Sequence, residues 1–173
     1  MTKKKILGIC GSASLKSSNL ELLRTLSDEF DSEFDWIITN SLRDFPMFRP
    51  EDLDGELDPL ISEFKSQVEE ADAIVIITPE YTHNLPAILK NALEWCTASG
   101  EFAEKPVLPI TFTPAEPRGK YAMRSIIESL KTLDSRVVSQ LELYKTDVEF
   151  EDYQISLNSS ITELLRSGLE LLV

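Results

Sequence analysis

The sequence predicts an α/β three-layer sandwich, a parallel β-sheet with helices on both faces. Short apolar runs alternate with stretches of helical periodicity five times along 173 residues, with no repeat and no low-complexity linker. One run, Ala73-Ile74-Val75-Ile76-Ile77, is unbroken and mostly β-branched, the mark of a parallel strand covered on both sides. Parallel neighbours need crossover connections, so such alternation implies helices above and below one sheet. The length suits one domain over residues 1–173 with a substantial core.

The first strand is the apolar run Lys5–Cys10, too short to span a membrane. Leu20, Leu22, Leu23 and Leu26 then recur at helical spacing, giving a helix over about 19–31. Asp35–Asn40 reads as the second strand. The loop after it holds Pro46, Pro50, Gly55 and Pro59, and its acidic stretch Glu51–Asp54 suits a solvated surface. Leu60, Ile61, Phe64 and Val68 predict a helix over about 57–71. The third strand is Asp72–Thr78, followed by a loop at 79–85 and a helix from Pro86 to about Ala98, where proline suits the first turn. Val107–Phe112 is the fourth strand, with a helix from about Gly119 to Leu133; Val137–Leu143 is the fifth. Residues 144–157 read as a connection, and 158–172 as a closing helix capped by Asn158, Ser159 or Ser160.

Composition narrows the function. The net charge of −13 argues against nucleic acid and anionic membrane surfaces. Neither a membrane-length apolar run nor a secretory signal is seen, so a cytoplasmic location is expected. Cys10 and Cys96 lack metal-type spacing and read as small buried hydrophobes, and one histidine makes a zinc site unexpected.

In open parallel sheets ligands sit at the carboxyl ends of the strands where the winding reverses. The loops that matter are then 11–19, 79–85 and 112–121. Ser17, Ser18 and Asn19, at the turn into the first helix, suit two roles. They can cap that helix, or they can hold an anion at its positive end.

The run Thr78-Pro79-Glu80-Tyr81, followed by Pro86-Ala87-Ile88-Leu89-Lys90-Asn91-Ala92-Leu93-Glu94-Trp95, resembles the motif of the NAD(P)H-dependent FMN reductase family. That family includes chromate-, quinone- and azo-reducing flavoproteins. Gly11-Ser12 to Ser17-Ser18-Asn19 resembles its first loop more loosely, and the likeness runs from residue 4 to about 143. The resemblance implies a flavodoxin-like fold of strand order 2-1-3-4-5. It also implies bound FMN, NAD(P)H as co-substrate, a small-molecule electron acceptor, and a homodimer or homotetramer.

By that resemblance Ser12, Ser17 and Asn19, with Ser18, would ring the FMN phosphate. Pro79, Glu80, Tyr81 and Thr82 would line the isoalloxazine edge, with Thr113 and Pro114 in the loop after the fourth strand. The family arginine three residues after the glycine is replaced by Ser14, and Lys16 is the nearby cation that partly substitutes. Thr82 stands where the family has asparagine. The loop Thr113–Lys120 carries two prolines, and its Glu116 would bring a negative charge near the ring. Arg118 and Lys120 suit either a nucleotide phosphate or the solvated start of a helix, and His83, beside the flavin-facing turn, suits a solvated loop better than a proton donor. No Arg or Lys cluster stands out for the 2′-phosphate that separates NADPH from NADH.

The expected function is ping-pong hydride transfer from NAD(P)H through FMN to a quinone or other small acceptor. No side chain need act as nucleophile or essential base. Two other classes fit parts of the sequence: an acidic flavodoxin-like electron carrier, and a binding module with weakened FMN affinity. The first loop lacks the threonine- and glycine-containing phosphate signature of flavodoxins, which counts against the carrier.

Overall fold

The structure, a computed structural model, describes residues 2–39, 41–152 and 154–173. Its elements in chain order are β1 (Lys4–Cys10), α1 (Ser18–Glu29), β2 (Phe34–Ile38), α2 (Pro59–Glu70), β3 (Ala73–Thr78), α3 (Ala87–Glu94) and β4 (Pro106–Thr113). There follow α4 (Lys120–Thr132), β5 (Arg136–Val137), β6 (Leu141–Tyr144), β7 (Glu149–Glu151), β8 (Gln154–Ser156) and α5 (Ser159–Glu170). Asn40, the last residue of the predicted second strand, lies outside the described residues.

The main sheet is parallel with order β2-β1-β3-β4-β5, the order the resemblance implies, and β6 continues along β4. Side chains of β3 alternate between two cores. Ile74 and Ile76 pack with Ile61, Phe64, Leu89 and Ile126 of α2, α3 and α4. Ala73, Val75 and Ile77 pack with Leu22, Leu26, Leu165 and Leu169 of α1 and α5. A strand with two apolar faces has no polar alternation to show, hence the continuous run in the sequence.

The predicted fifth strand is broken in two. Val107 pairs with Val137 but Ile110 pairs with Leu141, so the outer strand carries one extra residue between them. Pro109 explains the break. The carbonyl of Val107 accepts from Val138 N–H (3.1 Å), so Val107, and with it Pro109 two residues on, directs its ladder groups outward. Proline has no N–H to give there, and the edge strand bulges past it. Residues 144–157 hold a short 3-10 turn, Lys145–Asp147, and the antiparallel hairpin β7–β8, which buries Ile155 in the second core. Tyr153 lies outside the described residues.

The Asn91 and Trp95 positions of the motif hold the loop after β2. Asn91 Nδ2 (2.9 Å) and Trp95 Nε1 (3.0 Å) both donate to the Pro46 carbonyl, and Phe48 N–H donates to Asn91 Oδ1 (2.7 Å). The Phe48 and Trp95 rings meet edge to face with centroids 5.3 Å apart.

Two local features shape the carboxyl end of the sheet. Gly119 caps α4 with φ at 107°, and a Cβ there would lie 2.8 Å from Thr111 Oγ1, so the position demands glycine and brings no capping side chain. Glu80 supplies the cap from the loop after β3. Its Oε2 accepts from the N–H groups of Gly119 (3.1 Å), Tyr121 (2.9 Å) and Ala122 (3.2 Å).

Residues 81–84 form a tight turn closed by two hydrogen bonds, Tyr81 N–H to Asn84 O (3.0 Å) and Asn84 N–H to Tyr81 O (2.9 Å). Its central residues Thr82 and His83 have φ of 53° and 55°, a left-handed pair of the type I′ kind. A β-branched residue is strained there, whereas asparagine tolerates the region.

Two predictions follow from these features. Thr82→Asn is expected to stabilise the exposed turn by about 1 kcal/mol, seen as a rise of about 2–4 °C in Tm. Glu80→Ala removes the α4 cap and is expected to cost about 1–2 kcal/mol in urea denaturation.

Candidate functional site

A cleft of about 380 Å³ opens at the carboxyl ends of β1, β3, β4 and β6. From the first loop and the start of α1 it is lined by Ser12, Ser14, Lys16, Ser17, Ser18 and Asn19. The loop after β3 contributes Pro79, Glu80 and Tyr81, and the end of β4 contributes Thr113 and Pro114. The sheet brings these three distant segments together because the ends of adjacent parallel strands share one edge. Thr82, the remaining predicted residue, is exposed on the turn and does not line the cleft.

The first loop is braced by its own hydroxyls. Ser14 N–H donates to Ser12 Oγ (3.3 Å), and the Ser14 hydroxyl donates to the Lys16 carbonyl (3.1 Å). Ser17 is the α1 cap, its Oγ accepting from Leu20 N–H (3.2 Å). The helix-cap reading of Ser17 therefore holds, and it is compatible with anion binding. The N–H groups of Ser18 and Asn19 precede the first helical hydrogen bond and are those an anion would meet. Ser12 Oγ lies 3.5 Å from the Tyr81 hydroxyl, joining the first loop to the loop after β3.

The Asn19 side chain takes a role other than the one the resemblance implies, and the Glu80 side chain takes one on which the resemblance is silent. The Asn19 amide nitrogen, expected among the phosphate donors, donates instead to the Phe112 carbonyl (3.2 Å), tying α1 to β4. Its Oδ1 is buried with no partner, at a cost of about 1–3 kcal/mol that a ligand hydroxyl would remove. The Glu80 carboxylate is turned onto α4, so its charge meets the positive end of that helix rather than the cleft.

Two lining residues escaped the sequence reading, Phe112 and Lys145. Phe112 is buried beneath the cleft. Arg118 suited either a phosphate or a helix start, and it lies in the cleft wall. Lys145 directly follows β6, and its ammonium sits 4.6 Å above the Phe150 ring. The continuation of the fifth strand past Leu143 was the signal for it, since the next residues then reach the same sheet edge. With Lys16, these cations make the cleft locally basic in a chain of net charge −13. Glu116 is exposed and outside the cleft.

At the rim, the exposed His83 ring stacks on Tyr121 with centroids 4.5 Å apart, and Lys120 Nζ lies 5.0 Å from the Tyr121 centroid. Burial pushes the Cys10 thiol above its ordinary range and that of Cys96 up to about 12. Both cysteines are neutral at physiological pH and suit packing rather than nucleophilic chemistry.

The donor set fits FMN. Hydroxyls, helix-end N–H groups and cations suit its phosphate, and the unpaired Asn19 oxygen suits a ribityl hydroxyl.

Comparison with known proteins gives concordant results. A family model described as NADPH-dependent FMN reductase matches residues 4–147. The chain is 32% identical over 93 residues to a 2-hydroxy-1,4-benzoquinone reductase of a Burkholderia species, covering 54% of this chain and 50% of that protein. It is 29% identical over 143 residues to a quinone reductase of Escherichia coli K12, covering 81% and 76%. The first curated relatives it matches are spanned over about half their length. Among solved structures, the flavoenzyme NAD(P)H:(acceptor) oxidoreductase FerB of Paracoccus denitrificans superposes with TM-score 0.77 at 18% identity, over 98% of this chain and 95% of that one. Oxidised flavodoxin 1 of Bacillus cereus superposes with TM-score 0.61 at 16% identity, over 96% of each chain, so the fold is flavodoxin-like. With the matched segment running from β1 to the turn that carries Lys145, the chain belongs to the NADPH-dependent FMN reductase family.

Proposed function

We propose that the protein is an FMN-dependent oxidoreductase, passing electrons from NADH or NADPH to a quinone or other small acceptor. The observation that carries this reading is the cleft itself. A hydroxyl-rich loop at the start of α1 faces the Pro79–Tyr81 loop across one cavity, with Lys16, Arg118 and Lys145 around it. Family membership and the quinone reductases among the relatives support the same reading.

When bound, FMN supplies the redox chemistry. The chain's residues bind and orient it. Ser12, Ser17, Ser18 and Lys16 hold the phosphate end, and the Asn19 oxygen accepts from the sugar-alcohol chain. The backbone of Pro79–Tyr81 and the Thr113–Pro114 segment flank the ring. Glu80, clamped on α4, keeps the loop after β3 in register with the loop after β4. Donor and acceptor use the same open side of the cleft in turn, which gives ping-pong kinetics. The same reading takes residues 1–173 as one FMN-binding domain in a cytoplasmic homodimer or homotetramer, for which light scattering gives the mass.

The deciding assay is steady-state oxidation of NADH and NADPH by FMN-loaded protein with and without a quinone. Acceptor-dependent turnover above the free-FMN background is expected. Tight FMN binding without turnover would favour an electron carrier, and absence of FMN binding would favour a binding module. Lys145→Ala is expected to weaken FMN binding by about 1 kcal/mol, roughly fivefold in Kd. The loss should shrink as salt rises from low to high ionic strength, because the contact is solvent-screened.

A further inference from the structure

A second cavity, of about 390 Å³, lies on the β2 side of the first loop, whereas the flavin cleft lies on its β3 side. The two share Ser12, Ser14 and Ser17, so the loop is the partition between them. Arg24 of α1 and Arg43 of the 3-10 turn Leu42–Asp44 both line this second cavity. They are nineteen positions apart in sequence, which is why no basic cluster was visible there.

The electrostatics of this cavity run against those of the chain. Acidic residues outnumber basic ones by 30 to 17, yet among the described residues no carboxylate lines the cavity and neither arginine forms an ion pair. Arg43 Nε donates to Ser41 Oγ (2.9 Å), which fixes its fork and leaves the terminal nitrogens for a ligand. Thr39 and Ser41 add hydroxyls, while Leu15, Leu20 and Ile38 form an apolar wall. Two guanidinium forks suit a dianion with several oxygens better than a single carboxylate. The apolar wall suits a ring carried on that dianion, and the volume is that of a small-ligand pocket.

We propose that Arg24 and Arg43 form a phosphate-monoester site that takes the 2′-phosphate-bearing adenosine end of NADPH. The proposal rests on the reading of the first cleft as the flavin and nicotinamide site, from which only the first loop separates it. It makes NADPH the preferred donor over NADH.

The test is calorimetric titration of the FMN-loaded protein with 2′,5′-ADP, 5′-ADP and 5′-AMP, alongside NADPH and NADH kinetics. We expect 2′,5′-ADP to bind at least about tenfold more tightly than 5′-ADP. Arg24→Gln and Arg43→Gln should each abolish most of that difference and lower kcat/KM for NADPH but not for NADH. FMN affinity and the melting temperature should stay unchanged in both variants. Equal affinity for 2′,5′-ADP and 5′-ADP in the unmodified protein, or a difference that survives both substitutions, would overturn the proposal. Arginine-dependent binding of 5′-AMP as tight as that of 2′,5′-ADP would overturn the assignment to NADPH in favour of a free phosphate monoester. FMN binding is read separately by fluorescence, so failure of the flavin reading is distinguishable from failure of the arginine site.

Discussion

The contact on which the site depends is the Glu80 carboxylate set on the N-terminus of α4. Parallel strands leave each following loop to find its own conformation, and the two loops at the cleft mouth come from different strands. Glu80 ties them together through three backbone N–H groups. The arrangement follows from Gly119. The chain passes so close to Thr111 that only glycine fits, and a glycine cap leaves helix donors unsatisfied. A charged acceptor from the neighbouring loop satisfies them. It also removes a negative charge from a cleft suited to an anion.

The parallel sheet and its helices were legible because they rest on periodicity and on long apolar runs. The segments least legible were those decided by single contacts. Pro109 reads as part of a strand, and nothing local says that its missing N–H faces the edge strand and forces a bulge there. The motif pointed to Asn91 and Trp95, but their task of holding the Pro46 carbonyl depends on a loop more than forty positions away. Eleven of the twelve predicted site residues line the cleft, since loops after adjacent strands must meet. Thr82 does not, because a left-handed turn carries it outward. Lys145 was hidden by a strand that continues past its bulge.

Charge shows the same division between local and global. The whole chain repels anions, as its composition says. Sites for anions must then be made by exclusion of carboxylates as much as by recruitment of cations, because an exposed cation is easily matched by one of the many acids. The cleft does this by engaging Glu80 elsewhere and by keeping Glu116 outside. The cavity beyond the first loop has no carboxylate in its described lining. Exclusion of this kind is invisible in a residue count and appears only when the fold assigns each carboxylate a neighbour.

The first loop is the element both cavities share, and its internal hydrogen bonds suit it to that position. A loop of small hydroxyl residues has little apolar surface to bury and would be mobile if its polar groups were left to water. Here Ser12, Ser14 and Ser17 accept from or donate to the loop's own backbone and the first turn of α1. Each hydroxyl still has hydrogen-bonding capacity left for a ligand. A larger side chain at Ser14, such as the arginine of the related motif, would add a charge but would also fill the partition between the two cavities. With serine there, the cations come from Lys16 and Lys145 on one side and from Arg24 and Arg43 on the other. The loop can then serve two phosphate-bearing ligands without either one blocking the other.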